Sequence, residues 1–111
     1  MLIFKVLKEE EFVELQKKRS SVGSPKDLTD GFIHFSTKEQ LRETVRLHYS
    51  GQKNLILMAI DSNILKKKLI WESSRNGQVF PHLYSKLQFD SALWFAPLEL
   101  KEGTHIFPAG L

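Results

Sequence analysis

The sequence predicts an α+β domain with two helices near the N-terminus and five or six strands in a mostly antiparallel sheet. Three observations lead there. Apolar residues recur at helical intervals only in residues 9–19 and 37–49. Short runs rich in β-branched and aromatic residues are spread through the rest of the chain. The 111 residues contain no internal repeat, linker or low-complexity segment, so they form one domain, residues 1–111, with a single core.

Residues 2–7 mix apolar and β-branched side chains and read as a strand. In residues 9–19, Phe12, Val13 and Leu15 lie among charges, acids leading and bases trailing, which suits the dipole of a helix. Residues 20–30, with Gly23, Ser24, Pro25 and Asp27, read as a loop, and loops of that length often carry function. Residues 31–36 form the second strand. Ser36 and Thr37 both begin capping-box patterns, so a helix starts there, with Leu41, Val45 and Leu47 as its apolar positions and Gly51 as its stop. Residues 54–60 are almost continuously apolar and too short for a helix, which makes them a buried central strand. A turn at Asp61-Ser62-Asn63 and a single helical turn at residues 64–68 lead to a short strand at 69–72. After a loop at Arg75-Asn76-Gly77 come an extended segment at 80–87, a strand at 91–96 closed by Pro97, and an edge strand at 104–107.

Composition excludes several classes. At 41% hydrophobic and 26% charged residues the chain is of ordinary globular type, and no apolar run approaches the roughly 20 residues that cross a bilayer. The first six residues carry a lysine in their middle and no cleavage pattern, so no signal peptide is expected. The absence of cysteine removes disulfides, thiol nucleophiles and zinc–thiolate sites, and fits a cytoplasmic address. The net charge of +3 and two basic runs of three, Lys17-Lys18-Arg19 and Lys66-Lys67-Lys68, give no strong nucleic-acid signal.

Two strings concentrate the chemistry. In Asp30-Gly31-Phe32-Ile33-His34-Phe35-Ser36-Thr37 an extended backbone puts Phe32, His34 and Ser36 on one side and Ile33 and Phe35 on the other. In Phe80-Pro81-His82-Leu83-Tyr84 the same rule points His82 and Tyr84 together, from a backbone stiffened by Pro81. Each imidazole can donate and accept, so His34 and His82 are candidates for binding or proton transfer; each is equally able to satisfy a buried hydrogen bond. Ser36 or Thr37 caps the helix or meets a ligand, and Tyr84 can stack on a planar ring. Trp71 and Glu72 face opposite sides of their strand. Glu72 is costly to bury alone and becomes a base or a ribose-hydroxyl acceptor if it lies in a pocket, while Arg75 pairs with it or reaches a phosphate. His48 and His105 read as surface or helix-end residues, and Asp27 and Asp30 as turn formers. No phosphate loop, GxGxxG, GxSxG or HExxH is present, and His34 and His82 lack a third ligand, so no metal site is expected.

Gly23-Ser24-Pro25, Asp27, the string from Asp30 to Thr37, Gln40, Trp71-Glu72 and the string from Phe80 to Tyr84, in this order and spacing, resemble the bacterial family numbered 952 in the domain-of-unknown-function series. Ser85 departs from the glycine expected after the tyrosine, and Ile70 from a basic residue before Trp71. The resemblance implies an ADP-ribosyltransferase-like fold, two small antiparallel sheets split around a cleft for NAD or an ADP-ribose derivative. It implies further that His34 contacts a ribose hydroxyl, that Tyr84 packs near the nicotinamide, and that His82 or Glu72 supports the chemistry. A nucleotide partner, with NAD as ligand or substrate, is therefore expected. A non-catalytic interaction module and a metal-free phosphoesterase with two histidine–hydroxyl motifs are the alternatives.

Overall fold

The computed structural model describes all 111 residues apart from the side chain of Arg75. Its centre is the pair of most apolar strands. β1 (Leu2–Lys8) and β5 (Leu55–Asp61) run antiparallel from Leu2 opposite Asp61 to Lys8 opposite Leu55. Their alternating side chains feed two cores. Ile3, Leu7, Met58 and Ile60 join Leu15 of α1 (Glu9–Lys18) on one face. Phe4, Val6, Leu57 and Ala59 join Leu41 and Val45 of a second long helix, Lys38–His48, on the other. This is the buried central strand expected of residues 54–60, and the α+β class holds.

The stretch expected as a loop is structured. β2 (Ser20–Ser21) and a helical turn and a half, α2 (Pro25–Asp30), replace most of it. Ser24 caps α2 by accepting from the Asp27 N–H at 3.2 Å, and the Asp27 carboxylate returns the bond to the Ser24 N–H at 2.9 Å. Pro25 fills the first helical position, where its missing N–H costs nothing. Gly23 is required, because at φ +102° a Cβ there would sit 2.6 Å from Asp27 Cβ.

The single strand expected over residues 31–36 is two. β3 (Ile33–His34) pairs with a later strand, whereas β4 (Ser36–Thr37) pairs with β1, so the chain changes sheets at Phe35. The helix that follows, α3 (Lys38–His48), starts where the capping pattern predicts, with Thr37 as cap and Gln40 closing the box. Its apolar face is Leu41 and Val45; Leu47 is instead exposed.

A 3₁₀ segment, Ser62–Lys68, leads into β6 (Leu69–Ser73) and then β7 (Val79–Leu83), which lies between β3 and β6 in a three-stranded sheet. β8 (Leu87–Gln88) makes a separate two-stranded ribbon with β2. The segment expected to end at Pro97 continues as β9 (Ala92–Lys101), which pairs with β5 and, through Glu99 to Lys101, with β10 (Thr104–Ile106). Pro97 is tolerated because β10 does not reach it, and β9 is an edge at that point. All pairings are antiparallel, and the five-stranded sheet has the order β10-β9-β5-β1-β4. Among the described residues no helix is long and apolar enough to cross a membrane.

Leu57 has no exposed surface and packs between β1, β9 and α3. Leu57→Ala is expected to destabilise the domain by about 2–5 kcal/mol, read as a lowered urea midpoint with an unchanged m-value.

Candidate functional site

A cavity of about 400 Å³ opens where β1 and β4 of the larger sheet meet β3 and β7 of the smaller one, with α2 and α3 along its sides. Phe32, His34, Ser36, Phe80 and His82 all line it. The reason is strand parity. His34 stands directly opposite His82 in the β3–β7 register, Phe80 lies two residues from His82 on the same face of β7, and Phe32 and Ser36 flank β3 on either side. The odd positions Ile33, Leu69 and Leu83 turn the other way, into the core around Leu15.

The two imidazole rings are 5.7 Å apart and in different environments. His82 is buried. Its Nδ1 is 2.7 Å from Glu72 Oε1, which also accepts from the Tyr84 hydroxyl at 2.7 Å. Glu72 stands opposite Phe80 and reaches His82 on the diagonal of the ladder. Phe32 stacks on the His82 ring at 3.8 Å and 20°. Hydrogen bonds from His82 and then Tyr84 hold the Glu72 carboxyl below its ordinary value; the bond to Glu72, with burial and its charge, raises the Tyr84 phenol. A carboxylate on Nδ1 selects the tautomer with its proton there, which leaves the Nε2 lone pair as the basic position of the ring.

His34 is held at both nitrogens. Nδ1 is 2.5 Å from Asp27 Oδ1 and Nε2 is 2.9 Å from Asp30 Oδ2. Behind it lies a residue that the sequence reading treated as a turn former. Asp27 is only 2% exposed and meets the Lys5 ammonium at 2.9 Å, with Lys5 itself 5% exposed. It also accepts from the His34 backbone N–H at 3.1 Å. Burial pushes the Asp27 carboxyl up, but His34, Lys5 and the Ser24 N–H together hold it well below the usual carboxylate range. Two signals in the sequence point to this pair. Lys5 is a lone cation inside Ile3-Phe4-Lys5-Val6-Leu7, which demands a buried counter-charge, and Ser24-Pro25-Lys26-Asp27 is a helix start.

The remaining candidates divide. Ser36 lines the cavity and its hydroxyl lies 3.0 Å from Thr44 Oγ1. Thr37 is not part of the lining; its hydroxyl accepts from the Gln40 N–H as the cap of α3. Trp71 is 42% exposed and lies on the odd face of β6, away from Glu72 and from the cavity. Tyr84 reaches the site through Glu72 while lining a neighbouring, shallower hollow. The Arg75 side chain lies outside the described residues. His48, at the last turn of α3, and Tyr49 line the cavity as well, and burial together with Glu11 and Asp27 pushes the Tyr49 phenol up to about 12. His105 lies elsewhere, its Nε2 2.8 Å from the Gln52 carbonyl.

Removing one member of a buried pair leaves the other charge uncompensated, so Asp27→Asn is expected to cost about 3–5 kcal/mol. Lys5→Met in that background should recover part of the loss. Because the folded-state carboxyl of Asp27 is depressed, its stabilisation is complete above the unfolded value of 3.8 and is lost as pH falls below it. Asp27→Asn should therefore flatten the acid limb of a stability–pH curve measured by urea unfolding. Separately, Glu72→Gln should return the Tyr84 phenol towards its ordinary titration, followed by ultraviolet absorbance.

The crystal structure of protein CC0527 from Caulobacter crescentus superposes with a TM-score of 0.91 at 39% identity, covering 96% of this chain and 94% of that one. The solution structure of the same protein gives 0.84 at 39% identity, covering 94% and 90%. No curated protein matches. Residues 6–95 match the model of the family described as "Protein of unknown function (DUF952)", and the chain belongs to that family.

Proposed function

We propose that this cavity binds a small molecule of the NAD or ADP-ribose class and that His82 accepts a proton from one of its hydroxyls. The observation that carries the reading is the register of β3 against β7, which faces His34 and His82 into one cavity. Its volume of about 400 Å³ lies within the range of roughly 300–1,000 Å³ usual for small-molecule sites. Phe32, Phe80 and Tyr49 line it with aromatic rings, and Ser74 adds a hydroxyl-bearing side chain to the lining. Antiparallel sheets of five and three strands on either side of the cavity support the ADP-ribosyltransferase-like reading of the fold. The Glu72–His82 pair has the arrangement of a carboxylate-oriented base: a proton taken by Nε2 is stabilised by the carboxylate on Nδ1.

The alternatives differ in support. A phosphoesterase with two histidine–hydroxyl pairs is not favoured, since the Ser36 hydroxyl faces Thr44 and the Tyr84 hydroxyl donates to Glu72. An interaction module has one observation of its own. Trp71 and Val79, on one face of β6 and β7, are exposed by 42% and 46%.

Titration calorimetry with NAD, ADP-ribose and nicotinamide separates these readings. Binding of at least one is expected, with His82→Ala weakening it by about tenfold or more, equivalent to the loss of about 1.4 kcal/mol. Glu72→Gln should weaken binding less. No heat from any of the three at high concentration of folded protein would sink the nucleotide reading.

A further inference from the structure

We infer that Asp30 occupies, within its own chain, an oxyanion subsite of the cavity, which a phosphate or pyrophosphate group of a ligand claims by displacing it. The observation is the contrast between the two carboxylates on His34. Asp27 is built in, with contacts to Lys5, the Ser24 N–H, the His34 N–H and His34 Nδ1. It locks the ring and so fixes where Nε2 points. Among the described residues Asp30 meets that Nε2, at 2.9 Å, and the exposed Lys26 ammonium, at 3.5 Å. Its side chain is 34% exposed, against 2% for Asp27.

Within α2 an acid at this place has the exposed Lys26, one turn earlier, as its partner. Asp30 is the last residue of α2, at the negative end of the helix dipole, where a carboxylate is disfavoured. Gly31, in the left-handed conformation, already closes the helix by donating its N–H to the Asp27 carbonyl. The carboxylate is therefore held by the two donors it faces, and those donors form a cradle for an oxyanion. His34, Lys26 and Asp30 all line the cavity. With carboxylates on both ring nitrogens, His34 satisfies both contacts only as a double donor. A ligand phosphate arriving at Nε2 meets the same N–H and the same ammonium that Asp30 now uses, and Asp30 swings towards solvent. Phosphate is the class favoured over a hydroxyl because the Lys26 ammonium is cationic and charge-assisted bonds to oxyanions are the strong ones.

The inference deepens the nucleotide reading by assigning the phosphate end of the ligand, and it is tested independently of the ring end. The probe is inorganic pyrophosphate, titrated calorimetrically into the wild type, Asp30→Asn and Asp30→Asn/Lys26→Ala, with nicotinamide titrated in parallel. Asp30→Asn should bind pyrophosphate about tenfold more tightly than the wild type, and adding Lys26→Ala should reverse the gain. The His34 ring resonances should shift on binding. Asp30→Asn leaves the unfolding temperature near that of the wild type, because the lost contacts are partly exposed; Asp30→Ser serves if it does not. Unchanged or weaker pyrophosphate binding in the folded variants overturns the inference. Nicotinamide carries no phosphate, so its failure to bind would count against the ring reading alone.

Discussion

One buried carboxylate organises this protein. Asp27 receives the Lys5 ammonium from β1, two backbone N–H groups from the start of α2 and from β3, and the His34 ring. Lys5 also donates to the His34 carbonyl at 3.2 Å, so the ion pair ties β1 of the larger sheet to β3, the edge strand of the smaller one. Two charges removed from water at this depth are tolerable because Asp27 accepts from four donors and Lys5 donates to both Asp27 and the His34 carbonyl. Among the described residues no buried side-chain polar atom lacks a hydrogen-bond partner. The arrangement constrains geometry more than it adds stability: Asp27 sets the distance between the sheets and the orientation of the ring facing the cavity.

The second constraint is register. β3 has only two residues, yet its pairing with β7 sets Ile33 opposite Leu83 and His34 opposite His82. A slip of β3 by one residue would turn His34 into the apolar core and bring Ile33 out to the cavity. Burial of Ile33 at 2% and Leu83 at 0% opposes that slip, so the hydrophobic side of the smaller sheet holds the polar side in place. The Phe32 ring, stacked on His82 and in contact with His34 and Tyr84, closes the polar cluster from outside.

Much of this was legible from local rules. Alternation in β1, β5 and the two histidine strings, the Thr37 cap and the opposite facing of Trp71 and Glu72 follow from period and capping chemistry within a few residues. The convergence of His34 and His82 did not follow, because it depends on which strands pair. The errors have the same origin. Residues 31–36 look like one strand until β4 pairs with β1 and β3 with β7, and Pro97 looks like a stop until its neighbour β10 proves too short to need the missing N–H. Asp27 was passed over because a Ser-Pro-x-Asp stretch is common in turns. Its weight comes from Lys5, more than twenty positions earlier, and only the odd placement of that lysine in an apolar strand gave notice of it.

The two histidines, alike in their sequence setting, have acquired unlike chemistry. A ring with one nitrogen on a carboxylate retains a basic site, as His82 does beside Glu72; a ring with carboxylates on both nitrogens retains none, as with His34. His34 therefore suits charge and position, and His82 suits proton transfer. The difference rests on Asp27 and Asp30, which flank the strand in sequence and close on the ring only once α2 has formed. A ligand able to take the place of Asp30 would leave His34 bonded to Asp27 and presenting its N–H, while the Glu72–His82 pair stays undisturbed across the cavity. In the proposed reading, binding and proton transfer fall to separate carboxylate–imidazole units, which the Phe32 ring links by contacting both imidazoles.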